Sequence, residues 1–243
     1  MALTKKLKEL GLLSTYTNKL SRNTGDTLAS LLVHRFFPEH AILPFTPFSL
    51  NPNTILHVIN EIQINKRNSI IEFGAGVSTI ILARFLMLNK MDAKIVAVEH
   101  NADWAEFIQN ELIKYECANF AKIIVAPLNM TQINGYDGRW YDTDSLENSI
   151  GDTLFDLVIV DGPSAAENAE VRFPAFPFII DRLKASFIVF LDDIRREGER
   201  RIFKNWETYA LNTGKKCKFH FNDKKVYAWL SSGDGFSSAP MSY

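Results

Sequence analysis

Acidic side chains stand at the carboxyl ends of four predicted strands of this 243-residue sequence. They are Glu72, Glu99, Asp161 and the adjacent pair Asp192 and Asp193. In an open parallel sheet, ligands bind beyond the carboxyl ends of the strands. One acidic strand end carries little information, but acids at four ends predict a common site. Such a site suits a ligand with positive charge or hydroxyl groups, because carboxylates attract cations and accept hydrogen bonds.

A glycine turn follows the first of these strands, where Gly74 and Gly76 stand in the run IIEFGAGVSTI before a predicted helix. Glycines permit a tight turn and close approach of a ligand, and the helix N-terminus presents free N–H groups. The third position of the dinucleotide fingerprint is Thr79, so the match to that fingerprint is incomplete. A pyrophosphate at this turn would meet the Glu72 carboxylate with no lysine or arginine nearby in the sequence. The ammonium and sulfonium of S-adenosylmethionine would be attracted instead, so the turn favours that cofactor over NAD.

Glu99 ends the next predicted strand, where an acid is suited to accept hydrogen bonds from ribose hydroxyls. This position fits NAD and S-adenosylmethionine equally well. A glycine turn that binds no ligand at all is the simpler alternative at this point.

Strand and helix patterns alternate from residue 69 onward, as in a parallel sheet with helices on both faces. The fold class is therefore α/β, with a doubly wound, mostly parallel seven-stranded sheet that has one antiparallel strand. The polar, aromatic stretch between 126 and 155 reads as a loop, and its segment 136–141 is a candidate lid or substrate platform. Predicted strands cover 69–73, 94–99, 121–126, 155–161 and 187–192, with a terminal hairpin in 216–230 turning at Asn222 and Asp223. Predicted helices start at 53 or 54 and then cover 79–88, 103–115, 174–183 and 199–211.

Three regions are predicted along the chain. Residues 1–50 form an N-terminal extension, with weak helical patterns at about 3–10 and 26–37 and then a stretch rich in proline. Residues 51–231 form the α/β domain, and residues 232–243 form a C-terminal tail.

The composition excludes several classes of protein. The chain has 27 lysines and arginines against 28 aspartates and glutamates, so a general nucleic-acid binder or membrane-surface binder is not expected. Cys117 and Cys217 are its two cysteines, which excludes a disulfide scaffold and fits a reducing compartment. No apolar run is long enough to cross a bilayer, and no targeting segment is convincing. We therefore expect a cytoplasmic protein without membrane insertion.

Three segments together resemble the class I S-adenosylmethionine-dependent methyltransferases, which have a Rossmann-like fold. The run EFGAGVS from Glu72 looks like motif I of that family, with Ser78 in place of the last common glycine. The run VEHN around Glu99 resembles the ribose-binding acidic motif, and FDLVIVDGP at 155–163 is similar to the motif of the fourth strand. The likeness covers roughly residues 50–231. It implies that Glu72, Gly74 and Gly76 hold the methionine end of the cofactor, that Glu99 holds the ribose and that His100 borders the adenine.

A narrower resemblance concerns the acids on the substrate side. Asp161 with Asp192 and Asp193 resembles the metal triad of magnesium-dependent O-methyltransferases of the catechol and macrolide-sugar kind. Three carboxylates around an open site suit Mg²⁺, which would bind a substrate hydroxyl and lower its pKa. The resemblance implies O-methylation of a small molecule or sugar. In a metal-free alternative Asp161 is the general base, and the other two acids cap a helix or pair with Arg195, Arg196 or Arg200.

Two other functions stay open on the sequence alone. An NAD-dependent oxidoreductase would need a full glycine fingerprint and a catalytic Tyr/Lys or His/Asp arrangement, and neither is evident. A non-catalytic or accessory protein that keeps the fold would fail to bind the cofactor. Arg172 and the basic run 195–200 are candidates for recognition of an acidic or sugar-phosphate substrate. The sequence leaves the oligomeric state undetermined.

Overall fold

The computed structural model describes residues 23–165, 168–221 and 226–240, which form two layers of helices around a central sheet. The helices are α1 (23–34), α2 (Pro52–Ile64), α3 (Val77–Leu88), α4 (Ala102–Lys114), α5 (Thr143–Ile150), α6 (Ala175–Ile179) and α7 (Glu197–Asn212). The strands are β1 (Ser69–Phe73), β2 (Lys94–Glu99), β3 (Ala121–Val125), β4 (Leu128–Ile133), β5 (Tyr136–Tyr141), β6 (Phe155–Val160), β7 (Leu183–Leu191), β8 (Lys218–His220) and β9 (Ala228–Ser232).

The central sheet has seven strands in the order β3-β2-β1-β6-β7-β9-β8. Strands β1, β2, β3, β6 and β7 are parallel to one another, and β9 runs antiparallel to both β7 and β8. The chain first builds outward from β1 to β3 and then returns to place β6 on the other side of β1. This reversal is a topological switch point, where sheets of this kind bind ligands. The predicted doubly wound sheet with one antiparallel strand is confirmed.

The parallel strands are buried on both faces, because alternate side chains enter two separate hydrophobic cores. Ile70 and Ile159 belong to the core shared with α2, α3 and α4. Ile71 and Val160 belong to the core shared with β5, α5, α6 and α7. This double burial fixes the register of β1 and β6, since a slip of one residue would exchange every side chain between the cores.

The residues before α2 join the first of these cores. Val33, Phe37, Leu43 and Leu50 are all buried against it. Helix α1 agrees with the predicted pattern at 26–37, whereas the predicted helix at 3–10 lies outside the described residues. The division of the chain near residue 50 stays a prediction.

The C-terminal segment lies along α2 through a buried polar network. The amide of Phe236 donates to Asn65 Oδ1 at 2.8 Å, and the Ser238 hydroxyl lies 3.0 Å from His57 Nε2. The same hydroxyl contacts the Glu61 carboxylate, whose other oxygen accepts a hydrogen bond from Arg67 Nε at 3.0 Å. Buried polar groups hold a structure together only while each keeps its partners. The network therefore ties the end of the chain to the helix that precedes β1.

We expect Arg67→Met to lower the free energy of unfolding by about 3 kcal/mol, because it leaves the buried Glu61 carboxylate without its cation. Urea denaturation checks this value. The matched control is Lys114→Met, which removes the partner of Glu111 on the exposed face of α4 and should cost less than about 1 kcal/mol. Equal losses in the two variants would contradict a stabilising role for the buried pair.

One sequence prediction is wrong in the fold. The stretch between 126 and 155, expected to be a loop, contains the antiparallel hairpin β4–β5 and helix α5. The β4 strand has a single buried residue, Thr131, so it lacks the apolar alternation that marks a strand. The hairpin signal is its turn, Asn134 and Gly135, which both have positive φ.

The remaining predicted elements are present, with one shortened. The helix expected at 174–183 is the five-residue α6 followed by a 3₁₀ turn at Ile180–Arg182. The terminal hairpin is β8 and β9, and its predicted turn at Asn222 and Asp223 lies outside the described residues. Over the described ranges, no helix combines the length and apolar character needed to span a bilayer.

Candidate functional site

The carboxyl ends of β1, β2, β6 and β7 open into one cavity of about 410 Å³. Sites for small molecules typically fall between roughly 300 and 1,000 Å³. The turn glycines, the strand-end acids and the segment before α2 form its wall. The sequence-predicted site residues that line it are Gly74, Gly76, Glu99, His100, Asp161, Asp192 and Asp193.

The glycine turn brings the ends of β1 and β6 into direct backbone contact. Gly74 has a φ of 100°, and a Cβ on it would lie 2.8 Å from the backbone nitrogen of Gly162. No other residue type fits that conformation and that space together. Close backbone packing here leaves the cavity side of the turn free for a ligand.

Glu72 is the one predicted site residue that does not line the cavity. It is fully buried, and its two oxygens accept hydrogen bonds from the hydroxyls of Ser78 and Thr79, each at 2.5 Å. The Thr79 hydroxyl in turn accepts from the Gly76 N–H at 3.0 Å. The predicted attraction between Glu72 and the methionine end of the cofactor stays a prediction, and Glu72 would exert it from behind the turn rather than from the cavity wall. Both of its oxygens are engaged by α3, and the residue holds the shape of the turn.

Burial raises the pKa of Glu72 to about 7, although the two hydroxyl hydrogen bonds oppose this shift. The same carboxyl group has a pKa near 4.5 in the unfolded chain, so between about pH 4.5 and pH 7 the folded state binds more protons than the unfolded state. The corresponding stability is present at low pH and is lost as the pH rises through about 7.

Between pH 5 and pH 8 the ionisation of Glu72 should lower the unfolding free energy of the wild type by roughly 3 kcal/mol. We expect Glu72→Gln, which cannot ionise, to lack this part of the pH dependence. Urea denaturation at the two pH values measures the difference. The control is Glu106→Gln on the exposed face of α4, which should leave the slope unchanged. Parallel pH profiles for wild type and Glu72→Gln would contradict the raised pKa.

Glu99 is held rigidly at the cavity wall. Its Oε1 accepts hydrogen bonds from the backbone N–H groups of His100 and Asn101, both at 2.8 Å. The His100 ring Nδ1 lies 2.9 Å from the same oxygen, and this contact raises the pKa of His100. Trp104, which the sequence analysis missed, donates from Nε1 to the Ala75 carbonyl at 2.8 Å and adds a flat ring to the wall. An acid with a flat ring beside it suits a ribose and its attached base.

Asp161, Asp192 and Asp193, here called the acid cluster, meet on the other side of the cavity. Each offers a carboxylate oxygen, and these oxygens all lie within 4.8 Å of one another. Asp192 Oδ1 is buried and has no hydrogen-bond partner among the described residues. Burial together with repulsion from Asp193 raises the pKa of Asp192 to about 7. Burial and the charge of Asp192 likewise raise the pKa of Asp161.

Arg172 lies inside the acid cluster and is only 3% exposed. Its guanidinium contacts Asp161 Oδ1 at 3.3 Å and Asp193 Oδ2 at 3.2 Å. Arg172 lines the cavity but is already engaged by these two carboxylates, so its recognition of an acidic substrate stays a prediction. Of the basic run 195–200, Arg196 lines the cavity and pairs with Asp193 at 2.8 Å. Arg200 instead donates to the backbone carbonyl of Ile194.

Two further parts of the wall lie outside the predicted cofactor, metal and catalytic residues, although the second falls in the predicted lid or substrate platform at 136–141. Residues 46–50, inside the stretch rich in proline, line the cavity, and Phe48 among them is 77% exposed. Tyr141, at the end of β5, also lines the cavity although its side chain is fully buried. The aromatic run 136–141 was a signal for the second, but only the hairpin shows which ring faces inward.

Comparison with known proteins agrees with this fold. A family model described as a methyltransferase domain matches residues 71–194, about half of the chain. An O-methyltransferase from Streptomyces achromogenes, TomG, solved with S-adenosylmethionine, is similar at 18% identity and a TM-score of 0.50, over 86% of this chain and 90% of that one. A human methyltransferase 10 domain containing protein has 13% identity and a TM-score of 0.54, over 86% and 94% of the two chains. The Podospora anserina methyltransferase PaMTH1, solved with S-adenosylhomocysteine, has 14% identity and a TM-score of 0.51, over 86% and 88%. Among curated proteins there is no significant match.

The sheet order and the cavity at its switch point define a protein of the Rossmann-like class. Within that class the matched segment runs from β1, which precedes the glycine turn, to Ile194, just beyond the acid cluster. The chain belongs to the class I S-adenosylmethionine-dependent methyltransferase family.

Proposed function

We propose that the protein transfers a methyl group from S-adenosylmethionine to a hydroxyl oxygen of a small molecule or sugar. The observation that carries this proposal is the position of the acid cluster, which shares one cavity with the glycine turn and Glu99. A hydroxyl acceptor must lose a proton during methylation, and carboxylates at the acceptor side can accept it. The similar TomG protein is described as an O-methyltransferase, which supports the same class of reaction.

The cofactor is proposed to bind between the glycine turn and Glu99. The turn offers backbone N–H groups at the start of α3, and Glu99 offers a carboxylate for the ribose hydroxyls. The His100 ring and the Trp104 indole border the same end of the cavity. Bound S-adenosylmethionine supplies the activated methyl group, so the chain has to orient the acceptor and remove its proton.

The net charge of the acid cluster and its neighbours favours the binding of a divalent cation. With Glu199, which is 1% exposed, the cluster has four carboxylates, against the two guanidinium groups of Arg172 and Arg196. Two negative charges remain when all groups are ionised, and the Asp192 Oδ1 atom has no hydrogen-bond partner within the described ranges. Hard carboxylate oxygens suit Mg²⁺, which would lower the pKa of an acceptor hydroxyl. We propose that Asp161, Asp192 and Asp193 hold this ion.

A metal-free version of the same reaction is the second candidate, and the position of Arg172 favours it. Its guanidinium already bridges Asp161 and Asp193, where it offsets part of their mutual repulsion. In that version Asp161 alone accepts the proton of the acceptor hydroxyl.

Incubation with methyl-labelled S-adenosylmethionine and a panel of catechols, other phenols and sugars tests the proposal. We expect label in an O-methyl product, with activity lost in EDTA and restored by Mg²⁺. Activity that is indifferent to both additions would support the metal-free version. Label attached to nitrogen would contradict O-methylation, and a protein that binds the cofactor but methylates none of the panel would favour an accessory role.

A further inference from the structure

Tyr141 has a buried hydroxyl group that nothing in the described protein satisfies. Its side chain is fully buried at the end of β5, and its OH has no hydrogen-bond partner among the described residues. An unsatisfied buried hydroxyl costs roughly 1–3 kcal/mol, so native structures seldom keep one without a reason. Because Tyr141 also lines the cavity, a bound ligand is the available partner.

Packing fixes the position of this hydroxyl under the glycine turn. The Tyr141 ring stacks on Phe73 at 6.1 Å between centroids and meets the Trp140 ring at 5.5 Å. Its OH lies 2.5 Å from the place a Cβ would take on Gly162, the residue that packs against Gly74. The hydroxyl is therefore held by its neighbours at the junction of the β1 and β6 ends, on a residue that lines the cavity.

The charges around the hydroxyl indicate what kind of ligand it meets. Burial raises the pKa of Tyr141 well above its ordinary value, and the carboxylates of Glu99, Asp161 and Glu72 add to the effect while Arg172 opposes it. The phenol therefore stays neutral, with a proton to donate and an oxygen lone pair that can face a positive charge. Its surroundings are negative on balance, which suits a ligand that is cationic overall at this point.

We propose that the Tyr141 hydroxyl is a cofactor-binding group, which the β4–β5 hairpin contributes to the middle of the S-adenosylmethionine site. It shares the cavity with Glu99, proposed for the ribose, and with Asp161, proposed for the acceptor, and the charges of both act on it. The contact rests on the cofactor alone and is independent of the acceptor and of any metal. It assigns a cofactor-binding role to the hairpin whose segment 136–141 the sequence marks as a candidate lid or substrate platform.

The test combines two measurements on Tyr141→Phe, which removes the hydroxyl and keeps the ring. Calorimetric titration should show S-adenosylhomocysteine binding weakened by about 3- to 10-fold, as expected for one lost hydrogen bond. Urea denaturation of the ligand-free protein should show equal or higher stability, because the variant no longer buries an unpartnered polar group. If the hydroxyl had a merely structural role, its removal would leave the affinity unchanged and lower the stability of the ligand-free protein.

Tyr136→Phe is the matched control on the same hairpin. The Tyr136 hydroxyl donates to the Arg139 carbonyl at 2.9 Å, so its loss should lower stability and leave S-adenosylhomocysteine affinity unchanged. Unchanged affinity in Tyr141→Phe, or a ligand-free Tyr141→Phe protein less stable than wild type, would overturn the proposal. Failure of the unaltered protein to bind S-adenosylhomocysteine would instead contradict the cofactor site itself.

Discussion

Glu99→Ala should weaken S-adenosylhomocysteine binding by about 10- to 100-fold, as measured by calorimetric titration. Hydrogen bonds to a charged group are worth roughly 1.5–3 kcal/mol, and a ribose offers two hydroxyls to this carboxylate. The geometry adds to the expected loss, because three contacts to Oε1 hold the side chain in place before any ligand arrives. A preorganised acceptor loses little entropy on binding, so its removal should cost nearly the whole free energy of its hydrogen bonds to the ligand.

Two further variants separate the ribose contact from the local fold. Glu99→Gln keeps an oxygen for the N–H groups of His100 and Asn101 but loses the charge, so we expect an intermediate loss of affinity. Asp103→Asn removes a neighbouring exposed acid in the first turn of α4 and should bind as wild type does. If Glu99→Ala bound S-adenosylhomocysteine with unchanged affinity, the ribose role of Glu99 would be withdrawn.

The sheet and the place of the site were predictable because they depend on local patterns. The strands 69–73 and 155–160 are buried on both faces, and a nearly continuous run of apolar residues predicts such burial from the sequence alone. The rule that ligands bind beyond the carboxyl ends of strands then brings Glu99, Asp161 and Asp192 to one cavity. No distant contact had to be known for this step.

The environment of each acid was not predictable, because it depends on which groups the fold brings near. Glu72 lies near the end of its strand, as Glu99 does, yet its oxygens accept hydrogen bonds from Ser78 and Thr79. Arg172 is 21 residues from Asp193 in the sequence, where it is a candidate for an acidic substrate, but the fold buries it against that carboxylate. Sequence position alone gives the location of a charge, whereas burial and partners decide whether the charge is free to act.

The hairpin β4–β5 was not predictable either, because its strands lack a recognisable sequence pattern. Strand β4 is mostly exposed, and the buried residues of β5 are Tyr136, Trp140 and Tyr141, so neither strand has the strict alternation that marks a half-buried strand. What makes them strands is their pairing with each other, from Leu128 opposite Tyr141 to Ile133 opposite Tyr136. A marginal hairpin of this kind is stable only when it packs on something larger, and here the buried ring of Tyr141 supplies that contact.

Asp161→Asn should reduce methyl transfer at least about 1,000-fold while S-adenosylhomocysteine affinity stays within about two-fold of wild type. The amide is nearly isosteric and can still accept the contact from Arg172, so the local fold should persist. What it loses is a negative charge at the centre of the acid cluster, and with it a proton acceptor and a proposed metal ligand. The rate is measured with the acceptor that the labelled panel identifies, and the affinity by calorimetry.

Metal binding provides a readout of the same variant that needs no acceptor. Mn²⁺, used as a spectroscopic probe for Mg²⁺, should bind wild type in electron paramagnetic resonance titrations and bind Asp161→Asn at least about 10-fold more weakly, since one of three carboxylate ligands is gone. Glu170→Gln, which removes the partner of Arg201 away from the cavity, is the control and should bind Mn²⁺ as wild type does. Full activity in Asp161→Asn would remove this residue from the reaction. If the wild type bound no Mn²⁺ and Asp161→Asn still lost activity, Asp161 itself would be the group that accepts the proton of the acceptor hydroxyl. Arg172 would then be the cation that offsets the repulsion within the acid cluster.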